Sequence, residues 1–257
     1  MKTTKGYRVW QIVYPIGIYY VASSLAYFVC SLFLGMENET YMLRQTICAA
    51  VTIPFVYSFY RQDKVIEDAV YERERFSLNG KQIRNIFLAL FTGGALGIAV
   101  NNILAMTPLM QVSEGFKTAN EGFFGGQILF ELLGSCLLVP IAEELLFRGV
   151  VYKRLRLYLG IRPGLILSAL IFGALHFNLV QFLYAGILGL LLAYLLEKTG
   201  YLYAAVLGHI AANTMAVLRQ ETGWLNFAYE PTVAGIGLTL TLLLAAGAVI
   251  WYMEKKI

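Results

Sequence analysis

The stretch IVYPIGIYYVASSLAYFVCSLFL, residues 12–34, contains no Asp, Glu, Lys or Arg. A hydrocarbon core of ~30 Å takes about 20 apolar residues of helix to cross, so this run can span a membrane by itself. It is longer than the apolar region of a signal peptide and is followed by no small-residue cleavage site, so it is expected to be a retained span. The rest of the chain has the same character. Of 257 residues, 58% are hydrophobic and only 14% charged, and the mean hydropathy is +0.64. That composition excludes an ordinary soluble domain and makes lipid the solvent.

Hydropathy with charged or Gly/Pro punctuation predicts spans near 12–34, 42–60, 85–107, 126–147, 164–178, 180–196, 202–218 and 232–252. The expected fold is an all-α membrane protein, a polytopic bundle of about eight transmembrane helices forming a single transmembrane domain over 1–257. The fifth and sixth spans are short. Around Phe177 to Gln181 they admit a helical hairpin that turns inside the membrane, because non-helical backbone is tolerated there when protein buries it.

Basic residues cluster in membrane-protein loops on the cytoplasmic side. Alternating the loops of eight spans puts Lys2, Lys5 and Arg8, the six basic residues of 61–84, the five from Arg148 to Arg162, and Lys198, Lys255 and Lys256 on one side. That is seventeen of the twenty. Only Arg44, Lys117 and Arg219 fall on the other, beside Glu37, Glu39, Glu114, Glu121, Glu221 and Glu230. Both termini are therefore expected in the cytoplasm, and the net charge of +4 reflects topology. The 61–84 loop also carries Asp63, Glu67, Asp68, Glu72 and Glu74, a mixed-sign solvated face with no character of a nucleic-acid patch. Cys30, Cys48 and Cys136 show neither CxxC nor Cys/His spacing, which argues against a disulfide framework or a zinc knuckle. Glycines 93, 94, 97, 186 and 189 suit close packing of helices.

Ionisable groups within spans cost several kcal/mol and generally face a cavity or a partner. Here they are few. Glu143 and Glu144 follow Pro140 in Val139-Pro140-Ile141-Ala142-Glu143-Glu144-Leu145-Leu146-Phe147-Arg148. Glu144 and Arg148, four apart, share a helical face and can pair. Glu143 points about 100° away and is free to serve as general base or acid, unless the segment is simply a helix end with snorkelling charges. Pro140 removes a helical N–H and loosens this turn. The two histidines of the chain lie in apolar spans. His176 ends Phe172-Gly173-Ala174-Leu175-His176. His209 and Asn213 share a face and can hold an oxyanion or a water. A lone histidine of this kind reads as packing; a Glu pair, two histidines and a facing Asn form a constellation.

This constellation resembles the CAAX protease and bacteriocin-processing family (the CPBP or Abi family), which includes the type II CAAX prenyl endopeptidases. Glu143-Glu144-x-x-x-Arg148, Phe172-x-x-x-His176 and His209-x-x-x-Asn213 match its three motifs in order. The motif-bearing core is 126–218. The resemblance implies a glutamate-type intramembrane endopeptidase in which Glu143, assisted by His176, activates a water. His209 and Asn213 would stabilise the oxyanion, with Glu144, Arg148 and Phe172 in support. It also implies a membrane-associated peptide or protein as substrate, such as a prenylated CAAX tail or a bacteriocin or signal-peptide precursor, and a multi-pass place in a bacterial or archaeal cell membrane.

No cofactor is expected. Zinc held by Glu143, His176 and His209 is the alternative, since these residue types also serve zinc peptidases, although no His-Glu-x-x-His helix is present. Two non-proteolytic alternatives are an immunity or scaffold protein and a small proton-coupled transporter. Hydropathy puts His176 ~18 Å deep at 1.5 Å per residue, with Glu143 and His209 shallower. A site in the cytoplasmic leaflet, opening to the cytoplasm, is expected to reconcile the three.

Overall fold

A computed structural model describes residues 4–70 and 77–256, so Lys2, Glu72, Arg73, Glu74 and Arg75 of the charge pattern lie outside the described residues. The described residues are helical, with no strand. Helices α1 (Lys5–Leu34), α2 (Asn38–Val70) and α3 (Gly80–Ala105) come first, followed by the short α4 (Leu109–Val112) and α5 (Glu114–Phe123). Residues 128–159 then form one uninterrupted rod. In it α6 (Ile128–Phe130), α7 (Val139–Leu146) and α8 (Lys153–Leu159) are joined by wide π turns over Glu131–Leu138 and Phe147–Tyr152. Helices α9 (Ile161–Ala174), α10 (Leu179–Thr199) and α11 (Leu202–Thr222), a 3-10 turn (Asn226–Tyr229) and α12 (Val233–Lys256) complete the chain.

Six of these helices, α1, α2, α3, α10, α11 and α12, are each long and apolar enough to cross a membrane, and the chain is a multi-pass integral membrane protein. The other two expected spans correspond to the rod and to α9. At 14 residues α9 is short of a full crossing. The chain reverses between α9 and α10 at residues 175–178, where Phe177 takes a left-handed conformation, φ +57°. Asn178 holds the turn by accepting the Gln181 N–H at 2.9 Å and donating to the His176 carbonyl at 3.3 Å. Tyr20 of α1 donates to the Leu175 carbonyl at 3.1 Å.

The rod differs from the sequence reading in its end. Hydropathy stops the fourth span near residue 147, because Arg148, Lys153, Arg154 and Arg156 read as loop. The helix instead continues to Leu159, since each of those charges has a partner: Arg154 grips Asp63 of α2 at 2.8 and 2.9 Å, Lys153 meets Glu67 at 2.7 Å and Arg156 meets Glu197 at 2.8 Å. Lys198 and Glu254 pair at 2.7 Å, and Arg154 also reaches the Gln11 carbonyl at 2.5 Å. These contacts gather the start of α1, the ends of α2, the rod, α10 and α12, and hence both chain ends, at one end of the bundle. Arg148 is the exception to the charge census, being wholly buried in the rod.

Small residues set the α3–α11 contact. A Cβ built on Gly93 would lie 2.1 Å from the Gly208 carbonyl oxygen, and one on Gly97 3.0 Å from the Ala212 Cβ. Gly94 and Gly186 are looser, with their first neighbours at 3.5 and 4.0 Å. The near-contact of Gly93 with Gly208 carries the adjacent His209 into the bundle. Gly93→Ala must push α3 off α11, at ~1–3 kcal/mol for overpacking. It is expected to lower the melting temperature of the detergent-solubilised protein, with Gly94→Ala close to the unsubstituted chain in the same melt.

Candidate active site

The site assembles around a carboxylate with no access to solvent. Glu144, in α7, and Arg148, in the following π turn, both have side chains that are 0% exposed and are joined at 2.8 Å between Oε1 and Nη1. The same Oε1 accepts from Nδ1 of His209, on α11, at 2.9 Å. The Arg148 guanidinium lies 4.3 Å over the Phe172 ring of α9, and a Cβ on Gly189 of α10 would come within 2.9 Å of its Nη2. Gly189 thus makes room for a cation, a more specific role than the helix approach expected of it. Removing one partner from such a pair strands the other charge in a low-dielectric interior.

Glu143 points elsewhere, as the ~100° step between successive helical residues requires. It lines a cavity of ≈ 640 Å³ together with His176, His209, Asn213, Phe172 and Ser135. Its Oε2 stands 3.8 Å from Nε2 of His209, within ion-pair reach but too long for a direct hydrogen bond. His209 therefore bridges the two glutamates, with Nδ1 on Glu144 and Nε2 toward Glu143. Nδ1 of His176 pairs with the Phe172 carbonyl at 2.9 Å; this is the ring's N–H, which leaves Nε2 as the nitrogen able to take a proton. Both imidazoles sit edge-to-face with Phe172, at centroid distances of 5.0 and 5.9 Å. Asn213 donates one Nδ2 hydrogen to the Ser135 carbonyl at 2.7 Å, which fixes its carboxamide.

All seven residues singled out in the sequence thus converge: Glu143, His176, His209, Asn213 and Phe172 on the cavity, and Glu144 and Arg148 beneath them. Among the described residues no three His, Cys, Asp or Glu side chains are grouped so as to hold a metal ion. Two features went unread in the sequence. The contact between Glu144 and His209 joins residues 65 positions apart, and no spacing rule reaches across such a gap. Ser135, however, had a signal: 135, 139 and 143 repeat every four residues, and all three line the cavity.

The depth and direction of the site differ from expectation. With the rod ending at Leu159, Glu143 lies sixteen residues, or ~24 Å at 1.5 Å per residue, from its basic end. Leu202, the start of α11, sits against Gly149, ten residues short of the end of the rod, so His209 is deep as well. The three site residues then lie at compatible depths, without a shallow site. Among the described residues, none at the end that carries the termini lines the cavity. It widens between the far end of α3, α4, α5, the second half of α11 and the segment Tyr229–Pro231, all at the opposite end. The expectation of an opening on the side of the basic residues is overturned.

Comparison with known proteins places this geometry. A family model described as "Type II CAAX prenyl endopeptidase Rce1-like" matches residues 125–215, a range that includes all three motifs. The chain is 25% identical over 185 residues to the "CAAX prenyl protease 2" of Homo sapiens, covering 60% of this chain and 56% of that protein. It is likewise 25% identical over 142 residues to the "Putative membrane peptidase YdiL" of Bacillus subtilis (strain 168), covering 54% of each. The chain spans about half the length of these curated relatives. No solved structure matches significantly. The resemblance carried by the motifs is therefore met by independent matches, each covering part of the chain.

The buried network generates a stability test. Arg148→Ala leaves Glu144 without its cation and is expected to cost ~3–5 kcal/mol, seen as a large fall in the thermal midpoint in detergent. Arg162→Ala, at an exposed position, is expected to stay within ~0.5 kcal/mol of the unsubstituted chain in the same assay.

Proposed function

We propose that this protein is a glutamate-type intramembrane endopeptidase that hydrolyses a peptide bond in a membrane-associated peptide or protein. The observation that carries the proposal is the bridging imidazole of His209, held by the buried Glu144–Arg148 pair with Nε2 facing Glu143 across 3.8 Å of cavity. Such an arrangement holds reacting groups in place before substrate arrives, and preorganised dipoles of this kind supply much of an enzyme's acceleration.

In the proposed cycle, a water beside Glu143 gives its proton to that carboxylate, with Nε2 of His176 assisting, while its oxygen attacks the scissile carbonyl carbon. The carbonyl oxygen becomes an oxyanion. With Nδ1–H donating to Glu144, a proton on Nε2 makes His209 a cation between two carboxylates and gives it an N–H for the oxyanion. The free Nδ2 hydrogen of Asn213 is a second donor. Collapse of the tetrahedral intermediate breaks the C–N bond, and Glu143 returns the proton to the leaving amine. No metal enters these steps.

Glu143→Ala is expected to abolish processing of a co-expressed hydrophobic peptide, monitored by mass spectrometry. Persistent processing in that variant would sink the endopeptidase reading in favour of an immunity, scaffold or transport role. Asn213→Ala is expected to lower kcat by ~10²–10³-fold with a smaller change in KM, the loss typical of one oxyanion donor. Activity is expected to survive exhaustive EDTA and phenanthroline treatment. Its loss, reversed by added zinc, would assign the metal-dependent route instead.

A further inference from the structure

We propose that the Tyr184 hydroxyl is a binding group for the substrate, donating a hydrogen bond to a backbone carbonyl of the peptide that lies in the cavity. The inference rests on the endopeptidase reading and deepens it by adding a substrate-contacting residue that belongs to none of the three motifs.

Tyr184 stands on α10 and lines the same cavity as Glu143, His176, His209 and Asn213. Its ring packs against the buried cluster of Val100, Leu104 and Val180, which holds it in place. The ring carries its hydroxyl to the crossing of α3 and α11. There a Cβ built on Gly97 would stand 3.3 Å from the Tyr184 Oη and 3.0 Å from the Ala212 Cβ. Gly97 therefore leaves room for the hydroxyl as well as for α11. Ala212 directly precedes Asn213 and follows His209 by three residues, so Oη stands at the level of the two proposed oxyanion donors.

At that position the hydroxyl oxygen is buried and has no hydrogen-bond partner among the described residues. Buried polar groups are normally paired, and one left unpaired costs stability. Other tyrosines that reach into the bundle are paired: Tyr20 donates to the Leu175 carbonyl at 3.1 Å, Tyr152 to Glu197 at 2.7 Å and Tyr194 to the Ile250 carbonyl at 3.2 Å. One turn to either side of Tyr184 on α10, Val180 and Leu188 line the cavity with apolar side chains. A phenylalanine would pack against the same cluster, so packing does not account for the oxygen. A partner that arrives with the substrate does. Peptide carbonyls brought into a membrane-embedded cavity need donors, and a phenol supplies one without burying a charge. His209 and Asn213 serve the oxyanion in the proposed cycle, which leaves Tyr184 to a carbonyl that does not react. Such a bond is as strong in the bound state as in the transition state, and it therefore lowers KM without raising kcat.

Tyr184→Phe, which removes the oxygen and keeps the ring, tests this in the full-length protein. Thermal melting in detergent and the hydrolysis of a fluorogenic apolar peptide are measured beside the unsubstituted chain. The melting temperature is expected to be unchanged or raised, because an unpaired buried donor is lost. KM is expected to rise about three- to tenfold, the range of one neutral hydrogen bond, with kcat within about twofold. A lowered melting temperature, an unchanged KM or a loss confined to kcat each overturns the proposal. Affinity of the same peptide for Glu143→Ala, measured with and without Tyr184→Phe, reads the hydrogen bond in the absence of turnover and is expected to weaken by the same factor. Hydrolysis that persists in Glu143→Ala sinks the endopeptidase reading, a result separate from the Tyr184 comparison.

Discussion

Everything in this site depends on one buried oxygen. Oε1 of Glu144 accepts from Arg148 at 2.8 Å and from His209 at 2.9 Å, inside a protein whose surroundings are hydrocarbon. Two charges removed from water are costly to bury, and their attraction offsets the cost only when the geometry is good. The bundle supplies that geometry from four elements. The rod contributes the ion pair, α11 the imidazole, α9 the Phe172 face under the guanidinium, and α10 a glycine at 189 where any side chain would collide with it. The ion pair closes within the rod, and its contacts with α11, α9 and α10 tie the four elements together. Glu143, one residue away, inherits a fixed position without being consumed by the network.

The rod that carries both glutamates is not a regular helix. Wide π turns flank α7 on either side, and Pro140, which cannot donate a backbone hydrogen bond, is the second residue after the first. Such turns are uncommon and recur at functional sites, where the additional residue re-aims side chains. Here the first carries Ser135, whose carbonyl orients Asn213, and the second carries Arg148, so the backbone irregularity coincides with both ends of the site.

The sequence made the chemistry more legible than the architecture. Glu144 with Arg148, Phe172 with His176 and His209 with Asn213 are each four residues apart, and helical geometry alone puts such pairs on one face. Polar groups in apolar spans are conspicuous, so the seven candidates stood out. Depth was misjudged because hydropathy treats a charge as the end of a span. Lys153, Arg154 and Arg156 do not end theirs, since Glu67, Asp63 and Glu197 neutralise them from other helices. Those partners are distant in sequence, and with them the direction of the cavity was out of reach. The expected tension between a deep His176 and shallow glutamates was a symptom of this single misplacement.

The charges that lengthen the rod also make the bundle one-ended. Ion pairs among α2, the rod, α10 and α12 close the basic end with groups that water and lipid headgroups tolerate, so no cavity is needed there. At the other end the cavity is lined largely by aromatic, Met and amide side chains, several of them on short helices, which can surround space without filling it. The proposed hydrolysis needs both water and an apolar peptide at one carboxylate, and these are incompatible demands on a single environment. Placing Glu143 in a cavity lined by aromatic and aliphatic side chains together with amides, hydroxyls, imidazoles and Glu230 meets both: amides and imidazoles hold water and peptide backbone alike, while the Glu144–Arg148 pair is buried outside that space.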